Sequence, residues 1–441
     1  MKNQFFQSID NAPLIVFRIF LGLLLALESF GSILTGWVKN VYVAPKFFFQ
    51  HIGFEWLQPL PGNGMYYYYA VMGILGLSIM TGYRYRWTLS LFTLLWTGVY
   101  LMQKTSYNNH YYLLILVCLM MIFLPANRYA SLDVRRNPKI RSLTMPRWCS
   151  IVMIAMVALL YFYATVSKLY PDWLDGTFTK NLLQDKTDIP FFKALFNTKA
   201  FYLFIAYAGI AFDLLIVPML LWRKTRNFAL VASLIFHLFN AVTLQIGIFP
   251  FFALSFALFF YPPDTIRKIF LRKKPIAETG TLDFQYKAVL YYFFVPFLFL
   301  QLVLPLRHYA IKGDVLWTEE GHRLSWRMML RSRRGYCFFK VVDKETQEAT
   351  TYNLQRNLLP KQIGFVSDKP DGIWQMAQHI KKEYQKRGID VAVYADSKIS
   401  INGSPYKTFI NPEVDLATAK WDYFFHNEWI LLYDRQGNRL P

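Results

Sequence analysis

The chain has 441 residues, 54% hydrophobic, 18% aromatic and only 17% charged, with a formal net charge of +20. Soluble domains carry about 25% charged residues, so a chain built only of soluble domains is excluded and a multi-pass membrane protein is implied. The lysines and arginines sit largely in short loops between apolar runs, where topology signals and lipid-facing charge belong, so no nucleic-acid partner is expected.

Nine apolar runs are readable as membrane spans, at about 13–36, 65–83, 87–103, 109–125, 148–168, 200–222, 227–244, 246–262 and 286–306. Each is near the roughly 20 residues that cross a bilayer core, the third and eighth being short. The run after Pro13 is long and lacks a small-residue cleavage site, so it is expected to be a retained span rather than a signal peptide. Basic loops follow the second, fourth, sixth and eighth runs, carrying for example Arg84 and Arg86, Arg135 and Arg136, Arg223 and Lys224, and Lys273 and Lys274. Lysine and arginine mark the cytoplasmic face. The N-terminus is then cytoplasmic, and the C-terminal region lies on the outer face, periplasmic in a bacterium or lumenal in a eukaryotic secretory membrane. On this topology Lys104 to His110, Lys168 and His237 share the outer side.

From about residue 307 the composition changes. Asp314-Val-Leu-Trp, Tyr336-Cys-Phe-Phe-Lys-Val-Val, Val391-Ala-Val-Tyr and Lys398-Ile-Ser-Ile read as strands, and residues 372–386 have helical spacing. The expected fold is a multi-pass α-helical membrane domain over 1–306, of about nine transmembrane helices, with a C-terminal, mostly β extramembrane domain over 307–441 that contains one helix. The three cysteines, Cys118, Cys149 and Cys337, form no CxxC or Cys/His cluster, so no metal site is legible and no disulfide framework is expected in the C-terminal region.

Several polar groups stand out against this apolar background. Lys168 ends the run 151–166. Alone it reads first as a snorkelling anchor, with Tyr170 and Trp173 as an interfacial aromatic belt. A lysine that loses solvation can also serve as a base near neutral pH. Asn108, Asn109 and His110 open another run. They suit helix capping, and equally suit holding an anion or orienting a lysine. His237, between aromatics, reads first as an interhelical hydrogen bonder. Arg18 and Glu28 in the first span are expected to be structural, paired with each other or with other spans. Residues 324–333, Leu-Ser-Trp-Arg-Met-Met-Leu-Arg-Ser-Arg, fit either a strand with a solvated basic face or a carboxylate clamp with an apolar wall.

Assembled, these stretches resemble the vitamin K-dependent γ-glutamyl carboxylase family in its shorter bacterial form, with an HTTM-type transmembrane domain. Phe17-Arg-Ile-Phe-Leu-Gly22 resembles the family's first span. Lys104-Thr-Ser-Tyr-Asn-Asn-His-Tyr111 is close to its Lys-Thr-Ser-Trp-Asn-Asn-His-Ser. Val166-Ser-Lys-Leu169 with Asp172 and Trp173 resembles Val-Lys-Lys-Leu followed by Asp-Trp. Ser325, Trp326, Met328, Met329, Ser332 and Arg333 match its Ser-Trp-Asp-Met-Met stretch and the Ser-Arg beyond. The resemblance runs from about residue 13 to 436.

The resemblance implies an enzyme that takes vitamin K hydroquinone, or menaquinol, with oxygen and carbon dioxide and without a metal. A lysine deprotonates the quinol, oxygen converts it to a strong alkoxide base, and the alkoxide removes a γ-proton from a glutamate side chain. The carbanion then captures carbon dioxide and an epoxide is left. The base maps to Lys168. Asn109 and His110 map to the pair that positions the oxygenated quinone, and His237 and His308 to further site histidines. Ser325, Trp326, Met328, Met329 and Arg333 map to the glutamate-binding stretch. The implied partners are a glutamate-containing peptide or protein, membrane lipid and quinone, and the implied location is a bacterial inner membrane. Two departures stand out. Ser167 replaces the first of the family's two adjacent lysines, and Arg331 stands where the animal enzyme has a histidine. The animal enzyme's cysteine pairing and propeptide-recognition elements are not recognisable. An uncoupled quinol epoxidase and a non-catalytic quinone- or lipid-binding protein are the competing readings.

Overall fold

Away from water a backbone must satisfy its own hydrogen bonds, so the apolar runs fold as helices. The structure is a computed structural model that describes residues 2–183, 194–195, 197–244, 247–328, 330–434 and 437–440. Helices occupy Ala12–Leu34, Gly64–Thr81, Tyr85–Met102, Asn109–Phe123, Trp148–Ser167, Lys199–Leu221, Arg226–Leu244, Phe249–Ser255 and Lys287–Ala310. Four of them, Ala12–Leu34, Trp148–Ser167, Lys199–Leu221 and Lys287–Ala310, are long and apolar enough to cross a membrane. The other expected crossings are helical in the described residues but shorter or less apolar.

The chain divides into two compact units. The first comprises Met1–Ala44, Gln50–Thr165 and Ala211–Val303. The second comprises Pro45–Phe49, Val166–Ile210 and Leu304–Pro441.

In the first unit, helices Ala12–Leu34 and Gly64–Thr81 touch backbone to backbone. A Cβ on Gly22 would lie 2.3 Å from the Met80 nitrogen, and one on Gly76 would lie 2.6 Å from the Ala26 nitrogen. Small residues permit this approach, which substitutes for the hydrophobic driving force that lipid removes. Arg18 is fully buried, and its guanidinium donates to the carbonyls of Ala126 (2.9 Å), Tyr129 (3.3 Å) and Ala130 (2.6 Å). It thereby closes the turn after Asn109–Phe123. Glu28 instead accepts from the Tyr111 hydroxyl at 2.8 Å. Both first-span charges thus find partners on other segments. At one end, β1 (Ser8–Asp10) pairs antiparallel with β2 (Thr144–Pro146), and buried Lys274 ties them by donating to Asp10 (2.7 Å) and to the Leu143 carbonyl (3.0 Å).

The second unit is built on an antiparallel sheet in the order β4-β3-β5-β6. Its strands are β3 (Arg333–Asp343), β4 (Ala349–Thr351), β5 (Val391–Ile401) and β6 (Lys407–Thr408). In the central pair, Arg333 lies opposite Ile401 and Asp343 opposite Val391. Alternation buries Cys337, Phe339 and Val341 of β3 with Val391, Val393, Ala395 and Ile399 of β5. Helices Pro360–Asp368 and Pro370–Gln385 cover that face, contributing Phe365, Val366, Ile373, Met376 and Ile380.

Three local expectations change. Asp314-Val-Leu-Trp is not a strand. The Asp314 carboxylate accepts from the Leu316 N–H at 2.8 Å and caps the helical turn Val315–Thr318. The two runs after residue 390 form one strand, because Asp396 faces outward and Ser397 inward, so the polar pair does not break the alternation. A second helix, Pro360–Asp368, accompanies the expected one. Pro360 starts it, and the Gln362 side chain accepts from the Leu359 N–H at 3.0 Å.

Candidate functional site

In the first unit the site begins at a helix start. The Asn108 side chain accepts from the Tyr111 N–H at 2.7 Å and caps Asn109–Phe123. The cap is thus Asn108 and not Asn109. Asn109 is buried and accepts from the Tyr107 hydroxyl at 3.0 Å. His110 lies flat on Phe249, with ring centroids 3.6 Å apart and an interplanar angle of 13°. His237, 2% exposed, meets the same Phe249 edge-on at 6.2 Å. Its Nε2 is 3.2 Å from the Tyr161 hydroxyl, while its buried Nδ1 has no hydrogen-bond partner among the described residues. One phenylalanine ring thus gathers both histidines, which lie 127 positions apart in sequence (237 − 110).

An apolar cavity of about 700 Å³ lies in the same unit, lined among others by Phe20, Leu24, Leu27, Leu234, Ile248 and Phe270. Gly247 and Ile248 on its wall directly precede Phe249. The Glu28 carboxylate approaches that wall, 3.6 Å from where a Cβ on Gly247 would be. Lining of this kind suits a long hydrocarbon.

The second unit holds Lys168 and the 324–333 stretch. Lys168 follows Trp148–Ser167, is half-buried, and carries its Nζ 5.4 Å from the centre of the Trp173 ring. Trp173 is not a lipid-facing belt residue. It is 5% exposed, donates its indole N–H to the Ala206 carbonyl at 3.0 Å, and packs in one cluster with Leu316 and Leu330. The Tyr170 hydroxyl donates to the Leu330 carbonyl. Asp172 accepts from the Asn402 amide at 2.8 Å, and the Asn402 side-chain oxygen in turn accepts from the Ser332 N–H at 2.9 Å. The lysine segment and the 324–333 stretch are therefore fixed to each other by three residues that flank Lys168.

Within that stretch Trp326 and Ser325 are buried and Met328 is half-buried; Met329 lies outside the described residues. Leu324 (φ +59°) and Trp326 (φ +55°) adopt left-handed backbone, which costs a bulky residue roughly 1–3 kcal/mol. Ser325 between them holds the loop by donating to the Gly321 carbonyl at 2.6 Å. Gly321 itself needs its φ of +71°, and a Cβ there would lie 2.7 Å from that of His308. His308 Nδ1 is 2.7 Å from the Pro305 carbonyl, which can only accept, so that nitrogen carries the proton. Its Nε2 then accepts from buried Arg327 at 3.4 Å.

The charges around this stretch converge on Glu319. Its carboxylate receives Arg331 (Nε at 3.0 Å, Nη2 closer), Lys369 (3.3 Å) and Arg333 (3.4 Å). Burial alone would raise the Glu319 pKa. The combined field of Arg331, Lys369, His322 and Arg333 outweighs it and holds the carboxyl well below the usual range. His322 is pushed well down by burial and by Arg331, so it stays neutral. Arg333 spends its donors within the protein, on the carbonyls of Leu316 (2.9 Å), Trp317 (2.7 Å) and Asp368 (2.7 Å), and its guanidinium lies 5.1 Å from the Phe409 ring centre. Its neighbourhood is that of a clamp on the fold.

The structure thus gathers Asn109, His110 and His237 in one unit, and Lys168, His308, Ser325, Trp326, Met328 and Arg333 in the other. Phe249, Tyr161, Glu319 and Asn402 went unnoticed in the sequence, since an isolated aromatic, acid or amide carries no local signature. Among the described residues no group of three or more His, Cys, Asp or Glu could hold a metal ion. The family model for the HTTM domain matches residues 6–265, and that for the vitamin K-dependent gamma-carboxylase lumenal domain matches residues 286–436. No solved structure matches the chain.

Proposed function

Because the chain belongs to the vitamin K-dependent gamma-carboxylase family, we propose that it oxidises a prenylated hydroquinone, vitamin K hydroquinone or menaquinol, and uses the reaction to carboxylate glutamate. Quinol and oxygen give epoxide and water. A γ-C–H bond of glutamate breaks, its proton goes to the quinone-derived alkoxide, and the carbanion forms a new bond to carbon dioxide. Lys168 takes the first proton from the quinol. Asn109 and His110 position the oxygenated ring, with His237 behind them, and no metal takes part. His308, Ser325, Trp326, Met328, Met329 and Arg333 serve the glutamate side. The membrane domain is read as 1–306, crossing nine times, and the outer domain as 307–441. The N-terminus is placed in the cytoplasm and the C-terminal domain in the periplasm of a bacterium. Quinone and lipid are partners on the membrane side and a glutamyl peptide on the aqueous side, with no nucleic acid.

The observation that carries this reading is the tie between Lys168 and the 324–333 stretch through Tyr170, Asp172 and Trp173. A base and a carboxylate-recognising segment held in one unit are what the chemistry requires. The apolar cavity beside Phe249 supports a prenylated substrate, and a dry pocket protects alkoxide and carbanion from water. The committed donors of Arg333 favour, as a second reading, quinol epoxidation without carboxylation. Anaerobically purified protein, given quinol, oxygen, labelled carbon dioxide and a glutamyl peptide, separates the two. Label in the peptide supports the carboxylase, and epoxide without label supports the second reading. Lys168→Ala is expected to abolish epoxide formation. A normal epoxide yield from folded Lys168→Ala protein sinks the assignment of the base.

A further inference from the structure

Helices cover one face of the second unit's sheet; on the other, among the described residues, β3 is exposed at Arg334, Tyr336, Phe338 and Lys340, while Ala392 and Ser400 of β5 are buried. An antiparallel sheet with one solvated face normally turns polar side chains outward. Here the second face carries Tyr336 (36% exposed) and Phe338 (57%) on β3, with Tyr406 (52%) before β6. The Tyr336 ring centre is 5.7 Å from that of Phe338 and 5.9 Å from that of Tyr406, so the three form a continuous aromatic strip. Cations interleave it: Arg334 and Lys340 are exposed on β3, and Lys398 lies opposite Tyr336. The one acid of β5 on this side is Asp396, opposite Phe338.

The edge next to this strip is also available. β5 pairs with all of Arg333–Asp343, whereas β4 pairs only with Lys340, Val341 and Val342, and the Tyr352 N–H just beyond it donates to the Phe339 carbonyl at 2.9 Å. Beyond that pairing a groove of about 430 Å³ opens along β3, with Tyr336, Phe338, Tyr352 and Ile363 in its wall. A strand edge beside a groove is the usual seat for an added peptide strand, whose main chain bonds to the edge while side chains enter pockets.

We propose that this face is a docking surface for an extended, acidic segment of a peptide or protein, separate from the 324–333 stretch that the same β3 strand leads into. Its glutamates meet Arg334, Lys340 and Lys398, and its backbone and apolar groups lie along the aromatic strip. The occupant is chosen by charge complementarity, three cations against one acid. Its identity as the carboxylation substrate rests on the function proposed above.

The test uses the full-length protein in nanodiscs of uncharged lipid and a fluorescent glutamate-rich peptide, read by anisotropy. Tyr336→Ser with Phe338→Ser is expected to raise the peptide Kd at least tenfold. It should raise KM for peptide carboxylation similarly while leaving kcat and quinol epoxidation unchanged. Lys340→Glu, an exposed substitution that tests the same surface if the double variant folds poorly, should weaken binding and flatten its salt dependence. If the wild type never carboxylates but binds the peptide, and the variants weaken that binding, the surface stands and the proposed function fails. Carboxylation with unchanged Kd and KM in both variants overturns the surface. So does equal binding of the peptide with glutamine in place of glutamate, or displacement of the peptide by anionic vesicles or an oligonucleotide.

Discussion

Removal of the Glu319 charge should be the most damaging single-atom change in the second unit. Glu319→Gln keeps the shape and one acceptor oxygen but leaves buried Arg331 facing a neutral amide, with Arg333 and Lys369 beside it sharing the Asp368 carboxylate at 3.7 and 3.1 Å. The Glu319 and Arg331 side chains are each 7% exposed, so water cannot take over the missing charge. Two cations about 5 Å apart at an effective dielectric of about 20 repel by roughly 3 kcal/mol. Breaking a buried ion pair costs about 3–5 kcal/mol, and we expect a loss in that range. At about 1.4 kcal/mol per tenfold, amide exchange in β3 and Pro370–Gln385 should accelerate at least a hundredfold. Hydrogen-exchange mass spectrometry of the full-length protein in nanodiscs measures this. A change below about fivefold would show that the cations are individually satisfied elsewhere and would refute the reasoning. The pH dependence has a definite sign. A carboxyl depressed in the folded state stabilises above its unfolded pKa, near 4.5, and loses that contribution only as pH falls through its lower folded value. Protection should therefore persist through mild acid and collapse only in strong acid.

Further outcomes follow from other contacts. Gly76→Ala must push a methyl into Ala26 backbone, so it should separate the first two helices and lower the thermal midpoint in detergent by several degrees; Gly31→Ala, with open space around it, should not. Glu28→Gln retains an acceptor for Tyr111 but not the charge beside the cavity wall. We expect epoxidation to slow more than tenfold with quinol KM nearly unchanged, whereas equal losses in Glu28→Gln and Tyr111→Phe would assign the pair a purely structural role. His426 has Glu320 at 2.7 Å on Nδ1 and the Ile430 carbonyl at 3.1 Å on Nε2, two acceptors that only an imidazolium can satisfy together. Burial lowers its pKa, but the Glu320 carboxylate outweighs burial and the net shift is upward. Its stabilisation is thus full below about pH 6.5 and lost as pH rises through the higher folded value. Limited proteolysis around residues 420–430 should quicken on raising the pH, and His426→Gln should remove that dependence.

What the sequence disclosed followed the length over which a signal repeats. The nine apolar runs were legible because each repeats one property over many residues, and helix is found at each of them in the described residues. Four-residue signals fared worse. Asp314-Val-Leu-Trp offers strand-like residues, yet one carboxylate bonding two residues ahead turns it into a helical turn. The 391–401 strand looked divided because Asp396 and Ser397 interrupt the apolar runs, although their outward and inward placement keeps the period of two. Lys168, His110 and His237 stood out as polar groups in apolar surroundings. What joins them to their neighbours did not, because Phe249, Asn402 and Glu319 act through contacts that only folding creates. Arg333 drew attention as a possible substrate clamp, and only its bonds to three carbonyls reveal how much of it the fold consumes.

The Arg18 contacts bear on how the protein is made. The guanidinium sits in the first helix, but the carbonyls that receive it belong to residues from Ala126, 108 residues further along the chain, to Ala130, 112 further. A ribosome therefore delivers the first span with a bare cation long before anything can receive it. Arg18 lies in the second turn of Ala12–Leu34, where a charge costs less on insertion than the roughly 2.5–3.5 kcal/mol of a helix centre but still favours a position near the interface. A nascent chain that ends before Ala130 should hold its first helix loosely, near the interface or against the insertion machinery. Final seating of that helix would wait for the 126–130 turn, so the first and fourth apolar runs would enter the membrane as one delayed event.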